Sequence, residues 1–100
     1  MNLKELIYAL DSNLELFSRF DHVYLFGSAL SPSEFHVDSD VDLLLLYSEY
    51  SDQLISECER ISDKLSNETG WIIDLTVLSV EEERQVGFLD RTSPHYKKIK

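Results

Sequence analysis

Apolar positions recur along this chain with two different periods. Leu3, Leu6, Ile7, Leu10, Leu14 and Phe17 fall at helical spacing. They predict an amphipathic helix over residues 2–18, with Lys4, Glu5 and Glu15 off the apolar stripe and a weak point at Asp11-Ser12-Asn13. The run His22–Phe26 reads as a first strand, ended by Gly27-Ser28. Ser31-Pro32-Ser33-Glu34 has the form of a helix start, with Ser31 as cap and Pro32 at the first helical position. A second strand is expected over Val41–Tyr47. Period two puts Asp40, Asp42, Leu44 and Leu46 on one of its faces, and Val41, Leu43, Leu45 and Tyr47 on the other. Both faces are apolar beyond Asp42, so this strand should be central and covered on both sides.

The period then returns to helical. Leu54, Ile55, Cys58, Ile61 and Leu65 form the expected buried stripe of a helix over residues 51–67, which ends near Gly70. Cys58 lies within that stripe and reads as a small core residue. Residues 71–78 predict a third strand, with Ile72, Asp74, Thr76 and Leu78 on one face. Ser79-Val80-Glu81-Glu82 is a capping box for a third helix over about 80–90, and Pro94 and a lysine-rich tail follow. The order α-β-(α)-β-α-β-α predicts an α/β fold, a small mixed β-sheet with helices packed on one side, forming one domain over residues 1–100.

Charge narrows the partners. The formal net charge is −10, and phosphate-backbone binding rests on lysine and arginine, so no direct nucleic acid binding is expected. Three of the nine basic residues are Lys97, Lys98 and Lys100. Their position suits a solvated terminus, or a contact with phosphate or an acidic surface. No apolar run approaches the ~20 residues of a membrane-spanning helix, and the first residues lack the pattern of a secretory leader. A cytoplasmic location without membrane attachment is expected. The one cysteine excludes an internal disulfide and a multi-cysteine zinc site.

The candidate chemistry lies in three aspartates carried by apolar runs. Strands disfavour aspartate, and burying a lone carboxylate is costly. A shared cation would explain Asp40, Asp42 and Asp74 together. At i and i+2 on a strand, two carboxylates leave the same face roughly 6–7 Å apart at Cα. A third acid on a neighbouring strand closes the set. Hard oxygen donors favour Mg²⁺ or Mn²⁺ held partly through substrate phosphates. Two such ions about 3.5–4 Å apart would activate an attacking oxygen and stabilise a leaving one. Gly27 and Ser28 would offer backbone donors to a triphosphate. A plainer reading puts Asp40 and Asp42 at a wet strand start and Asp74 on an exposed sheet edge. A calcium loop from Asp38 fails, because its sixth position is Leu43 where the turn needs glycine.

Phe26-Gly27-Ser28, an eleven-residue gap from Ala29 to Ser39, Asp40-Val41-Asp42-Leu43-Leu44, and a later apolar strand carrying Asp74 resemble the minimal nucleotidyltransferases of the DNA polymerase beta superfamily. The resemblance spans residues 22–78 and the order of elements. It implies that Gly27 and Ser28 hold the triphosphate of ATP or another nucleoside triphosphate. It implies that Asp40 and Asp42 hold two Mg²⁺ ions (or Mn²⁺), and that Asp74 is the third ligand and helps deprotonate an acceptor hydroxyl. Small members of that group are commonly encoded beside a helical HEPN-type ribonuclease and act as its antitoxin, some by transferring AMP to a tyrosine of the partner. The resemblance therefore implies a metal-dependent transferase moving AMP to a hydroxyl of a HEPN-type partner, or a domain that assembles with itself. Two features depart from the pattern. The gap is one residue longer than usual, and Ala29-Leu30-Ser31-Pro32-Ser33 lacks the arginine and glycine that many relatives carry. The alternative is a catalytically weak module of the same fold that neutralises its partner by binding alone.

Overall fold

The computed structural model describes residues 3–27, 40–92 and 96–100. Ser28 and the expected helix start at residues 31–34 lie outside the described residues. Helix α1 covers Leu3–Ser12 and is followed by a 3-10 turn over Leu14–Phe17. Strand β1 is His22–Phe26, β2 is Val41–Tyr47, helix α2 is Gln53–Thr69 and β3 is Ile73–Ser79. Two short helices, α3 (Val80–Val86) and α4 (Phe88–Thr92), lead to β4, Tyr96–Lys98.

The helix expected over residues 2–18 ends early, within the weak point Asp11-Ser12-Asn13, and Asn13 fixes that end. Its N–H bonds to the Leu10 carbonyl at 3.1 Å. Its buried side-chain amide donates to Ala9 O and to Glu68 Oε2, both at 2.8 Å. These bonds end α1 and tie it to the last turn of α2. The tighter turn that follows changes the phase of the apolar stripe. Leu16, Phe17 and Phe20 enter the core, whereas Leu14, expected to be buried, is 39% exposed.

The sheet order is β3-β2-β1-β4. β2 runs antiparallel to β1 and parallel to β3, and β4 is antiparallel to β1. The sheet is therefore mixed, with β2 inside it, as its two apolar faces require. α1, the 3-10 turn and α2 cover one face. Leu6, Leu10, Phe17, Ile61 and Leu65 pack there on Val23, Leu25, Val41, Leu43 and Leu45. Each such side chain contributes roughly 1.5–3 kcal/mol of burial. Leu44 and Leu46 point to the opposite face and are also buried. α3 packs on β2 and β3, and Phe88 of α4 meets Phe26 edge-on, 5.1 Å between ring centres.

Local chemistry sets the ends. Gly70 closes α2 in the left-handed conformation, its N–H bonded to Ser66 O at 2.8 Å. The capping box at α3 forms as the sequence predicts: Glu82 N–H donates to Ser79 Oγ at 2.9 Å, and Ser79 N–H to Glu82 Oε1 at 2.8 Å. The expected helix over 80–90 is divided by Gly87 into α3 and α4. β4 lies in the segment the sequence leaves as a tail. Ile99 packs against the core, and Lys100 Nζ donates to the carbonyls of Phe17 and Phe20 at 2.9 and 2.7 Å.

Candidate active site

The strand registers align four residues in one row across the sheet. Tyr96 of β4 faces Phe26 of β1, Phe26 faces Asp42 of β2, and Asp42 faces Asp74 of β3. Residues in such a row share a face. This face is the one opposite α1 and α2, because Val23, Leu25 and Leu43 occupy the other. Two acids thirty-two residues apart in sequence become neighbours at the usual strand spacing of about 4.8 Å.

Asp42 is half-buried, Asp74 exposed, and Asp40 exposed just before β2 begins. The Asp42 carboxyl is pushed up to about 6. Burial is the largest cause, followed by the charge of Asp74, the charge of Asp40, and a hydrogen bond with Asp74. Burial and the neighbouring acidic charges disfavour the charged form, so Asp42 keeps its proton to a higher pH than a free aspartate does.

Gly27 abuts this pair at the end of β1. Its φ is +81°, a conformation that costs a non-glycine residue roughly 1–2 kcal/mol. A Cβ built on it would collide with the Asp42 carboxylate oxygen and lie 3.2 Å from its Cγ. Glycine is thus required twice, for its backbone conformation and for the room it leaves to the carboxylate. Ser28, the other residue expected at this corner, lies outside the described residues.

Among the described residues, no three carboxylate, imidazole or thiolate side chains stand ready to hold a metal ion together. The donor chemistry nonetheless fits a hard divalent cation. Asp42 and Asp74 stand in register, the charges of Asp74 and Asp40 act on the Asp42 carboxyl, and a cation would relieve that repulsion.

Cys58 stands apart from this site. It is half-buried on α2, and burial followed by the Glu57 charge pushes its thiol up, which makes it a poor nucleophile. Tyr96 is the residue of the row that sequence reasoning missed. Its ring meets Tyr24 edge-on at 5.5 Å. The signal was the alternation in Tyr96-Lys97-Lys98-Ile99-Lys100, in which a lone isoleucine between lysines marks an inward position. The same alternation puts Lys98, opposite Tyr24, on the acid side of the sheet, and Lys97, opposite Leu25, on the helix side.

A mixed sheet covered by helices, with acids in register at the start of two parallel strands, is the architecture of a nucleotide-transferring domain. The chain belongs to the nucleotidyltransferase domain family, whose sequence profile matches residues 6–99. No curated protein gives a significant match. Three solved structures share the fold. A mutant MntA–HpeT toxin–antitoxin structure matches at 18% identity and a TM-score of 0.56, over 100% of this chain and 73% of that one. A toxin–antitoxin structure with AMP-PNP matches at 21% and 0.57, over 100% and 73%. A structure of the tri-AMPylated Shewanella oneidensis HEPN toxin in complex with MNT antitoxin matches at 17% and 0.57, over 95% and 71%.

Proposed function

We propose that this chain is an Mg²⁺-dependent nucleotidyltransferase that moves AMP from ATP to a hydroxyl of a HEPN-type partner protein, as the antitoxin of a toxin–antitoxin pair. The observation that carries the reading is the register of Asp42 against Asp74, with Gly27 shaped around the Asp42 carboxylate. Membership of the family supports the reaction class. The AMPylated toxin complex and the AMP-PNP complex among the structural relatives support the nucleotide and the partner.

In this reading Asp40, Asp42 and Asp74 hold the cation, and Gly27 and Ser28 receive the triphosphate. The cation supplies charge neutralisation and activation of the acceptor oxygen. The chain's own residues position the reactants. Gly27 lets the triphosphate corner close against Asp42, and Asp74, the more exposed of the pair, accepts the proton of the acceptor hydroxyl as its oxygen bonds the α-phosphorus of ATP and pyrophosphate leaves. Positioning and electrostatics account for most of the catalysis expected in such a site.

The test is incubation of the chain and its co-expressed partner with α-labelled ATP and Mg²⁺ or Mn²⁺. Label is expected on the partner, and Asp40→Asn or Asp42→Asn abolishes it. Absence of label with either metal removes the transferase reading. A second reading is a binding module of the same fold. The lack of three converged ligands among the described residues favours it, as does the missing arginine after Ser28. It predicts that Asp42→Asn still neutralises the partner.

A further inference from the structure

Among the described residues, the sheet has an open edge at β3. The Val41 N–H donates to the Ile72 carbonyl at 2.8 Å, so Ile72 turns its backbone groups toward β2. Strand alternation then turns those of Ile73, Leu75 and Val77 outward. Ser79 continues the outward series, and its N–H is taken by Glu82, which closes the edge at that end. Among the described residues β3 pairs only with β2. Unpaired strand groups of this kind are a template for another strand.

A groove runs beside this edge, between β3 and α2. It consists of two adjoining cavities of ≈ 530 and ≈ 410 Å³ that share Cys58 and Glu59. Its floor is apolar, with Leu75 and Val77 packed on the core below. Ile55 and Tyr50, which line it, are 59% and 61% exposed, and Ile72, on the opposite face just ahead of β3, is 65% exposed. Ile55 was expected in the buried stripe of α2 and lines this groove instead. The charged residues lining the two cavities are Glu59 and Asp63, one helical turn apart, and no basic residue lines either.

We propose that the β3–α2 edge docks an extended basic segment of the partner protein, which adds as a fifth strand along Ile73, Leu75 and Val77. Strand alternation turns its lysines or arginines to the groove side, their alkyl stems over Leu75 and Val77 and their charges toward Glu59 and Asp63, and its apolar side chains to the opposite face, beside Ile72. Main-chain bonds supply affinity and the side-chain pockets specificity, as in other strand-addition complexes. Charge selects the occupant. A second copy would bring Glu59 and Asp63 up to an equally acidic surface, on chains that each carry −10. The edge is also close to the chemistry, because β3 carries Asp74. A strand added there lies about 4.8 Å from it and brings its flanking residues to the acid row. The inference deepens the partner assignment above and rests on it only for the existence of a partner.

The test uses the full ¹⁵N-labelled chain without nucleotide or metal, so its outcome is separate from that of the transfer assay. The probe is a heptapeptide alternating lysine with valine and isoleucine; its glutamate counterpart is the control. The basic peptide is expected to give saturable shifts and slowed exchange at Ile73, Leu75 and Val77, and the acidic one none. Glu59→Lys with Asp63→Lys, both exposed, is expected to weaken binding at least tenfold while the rest of the spectrum is kept. Val77→Pro, which removes an outward donor and leaves the bonds of β3 to β2 in place, is expected to do the same. Binding indifferent to the charge reversal, shifts confined to another surface, or no binding at millimolar peptide overturns the proposal. So does concentration-dependent dimerisation that perturbs the same amides without peptide, which assigns the edge to a second copy.

Discussion

Asp42 and Asp74 face each other in register across the parallel strands β2 and β3, and the charge of Asp74 adds to burial in raising the Asp42 carboxyl. The folded-state pKa of Asp42, about 6 against an ordinary 3.8, gives this contact a defined pH signature. Below about pH 4 both folded and unfolded chains hold the proton, and nothing is lost. Between about 4 and 6 the folded state holds a proton that the unfolded state releases, so stability falls as pH rises. Above 6 the full penalty applies, about 1–2 kcal/mol once partial solvent access is counted. Asp42→Asn removes it. In EDTA the variant is expected to be more stable than the parent at pH 8 and equal to it near pH 4. Urea titrations followed by circular dichroism measure this, and parallel pH profiles for the two proteins would show that the acids are uncoupled.

Divalent metal should reverse that ranking. A cation bound only by the folded state adds stability that grows with its concentration over Kd. At pH 8, millimolar Mn²⁺ is expected to raise the Tm of the parent by several degrees and to leave Asp42→Asn and Asp74→Asn nearly unmoved. An equal shift in all three proteins would place the metal elsewhere.

Gly27→Ala combines two costs. The positive φ contributes roughly 1–2 kcal/mol, and collision with the Asp42 carboxylate adds to it. Asp42→Ala deletes the carboxylate and leaves only Asp42 Cβ at ordinary contact distance, 3.5 Å. The double variant should therefore lose less stability than the sum of the singles. A coupling energy of about 1 kcal/mol or more is expected from the four denaturation curves; additivity would mean that the two residues do not meet.

Much of this arrangement is legible in the letters. β1 and β2 fall where alternation puts them, and Asp74 stands out as an acid in an apolar run. What stayed hidden has local causes. The 3-10 turn after Asn13 rotates the stripe, so Leu14 emerges while Leu16 and Phe20 go in; no helical period encodes that step. β4 is only three residues long, so its one signal, a lone isoleucine between lysines, reads equally well as a solvated tail. Ile55 falls on the helical stripe by spacing, but it stands beside an unpaired sheet edge rather than above the sheet. The site was legible as residue types, whereas the pairing of Asp42 with Asp74 depends on strand register, which a single sequence does not state.

The Asn13 amide joins two helices through the Ala9 carbonyl and the Glu68 carboxylate. Asn13→Leu leaves Glu68 without that donor and is expected to cost about 1–3 kcal/mol. Glu68→Gln, which keeps an acceptor, should cost less. Thermal denaturation of the two variants ranks them, and the reverse order would show that the Glu68 bond is not what holds Asn13.

Ser79→Ala removes one half of the α3 capping box and is expected to lower stability by about 1 kcal/mol. Amide exchange should quicken first at Glu82 N–H, whose bond to Ser79 Oγ disappears. Unchanged exchange there would mean that α3 is held by its packing on β2 and β3.

The segment from β2 through α2 to β3 contributes both members of the acid pair, whereas Gly27 comes from β1, which is held between β2 and β4. The two halves of the site therefore meet across the antiparallel β1–β2 pairing. If β1 and β4 open together, the corner beside Gly27 comes apart while Asp42 and Asp74 remain in register. Native-state exchange would then report two free energies of opening within one small sheet, and the grip on nucleotide would be lost before the acids separate.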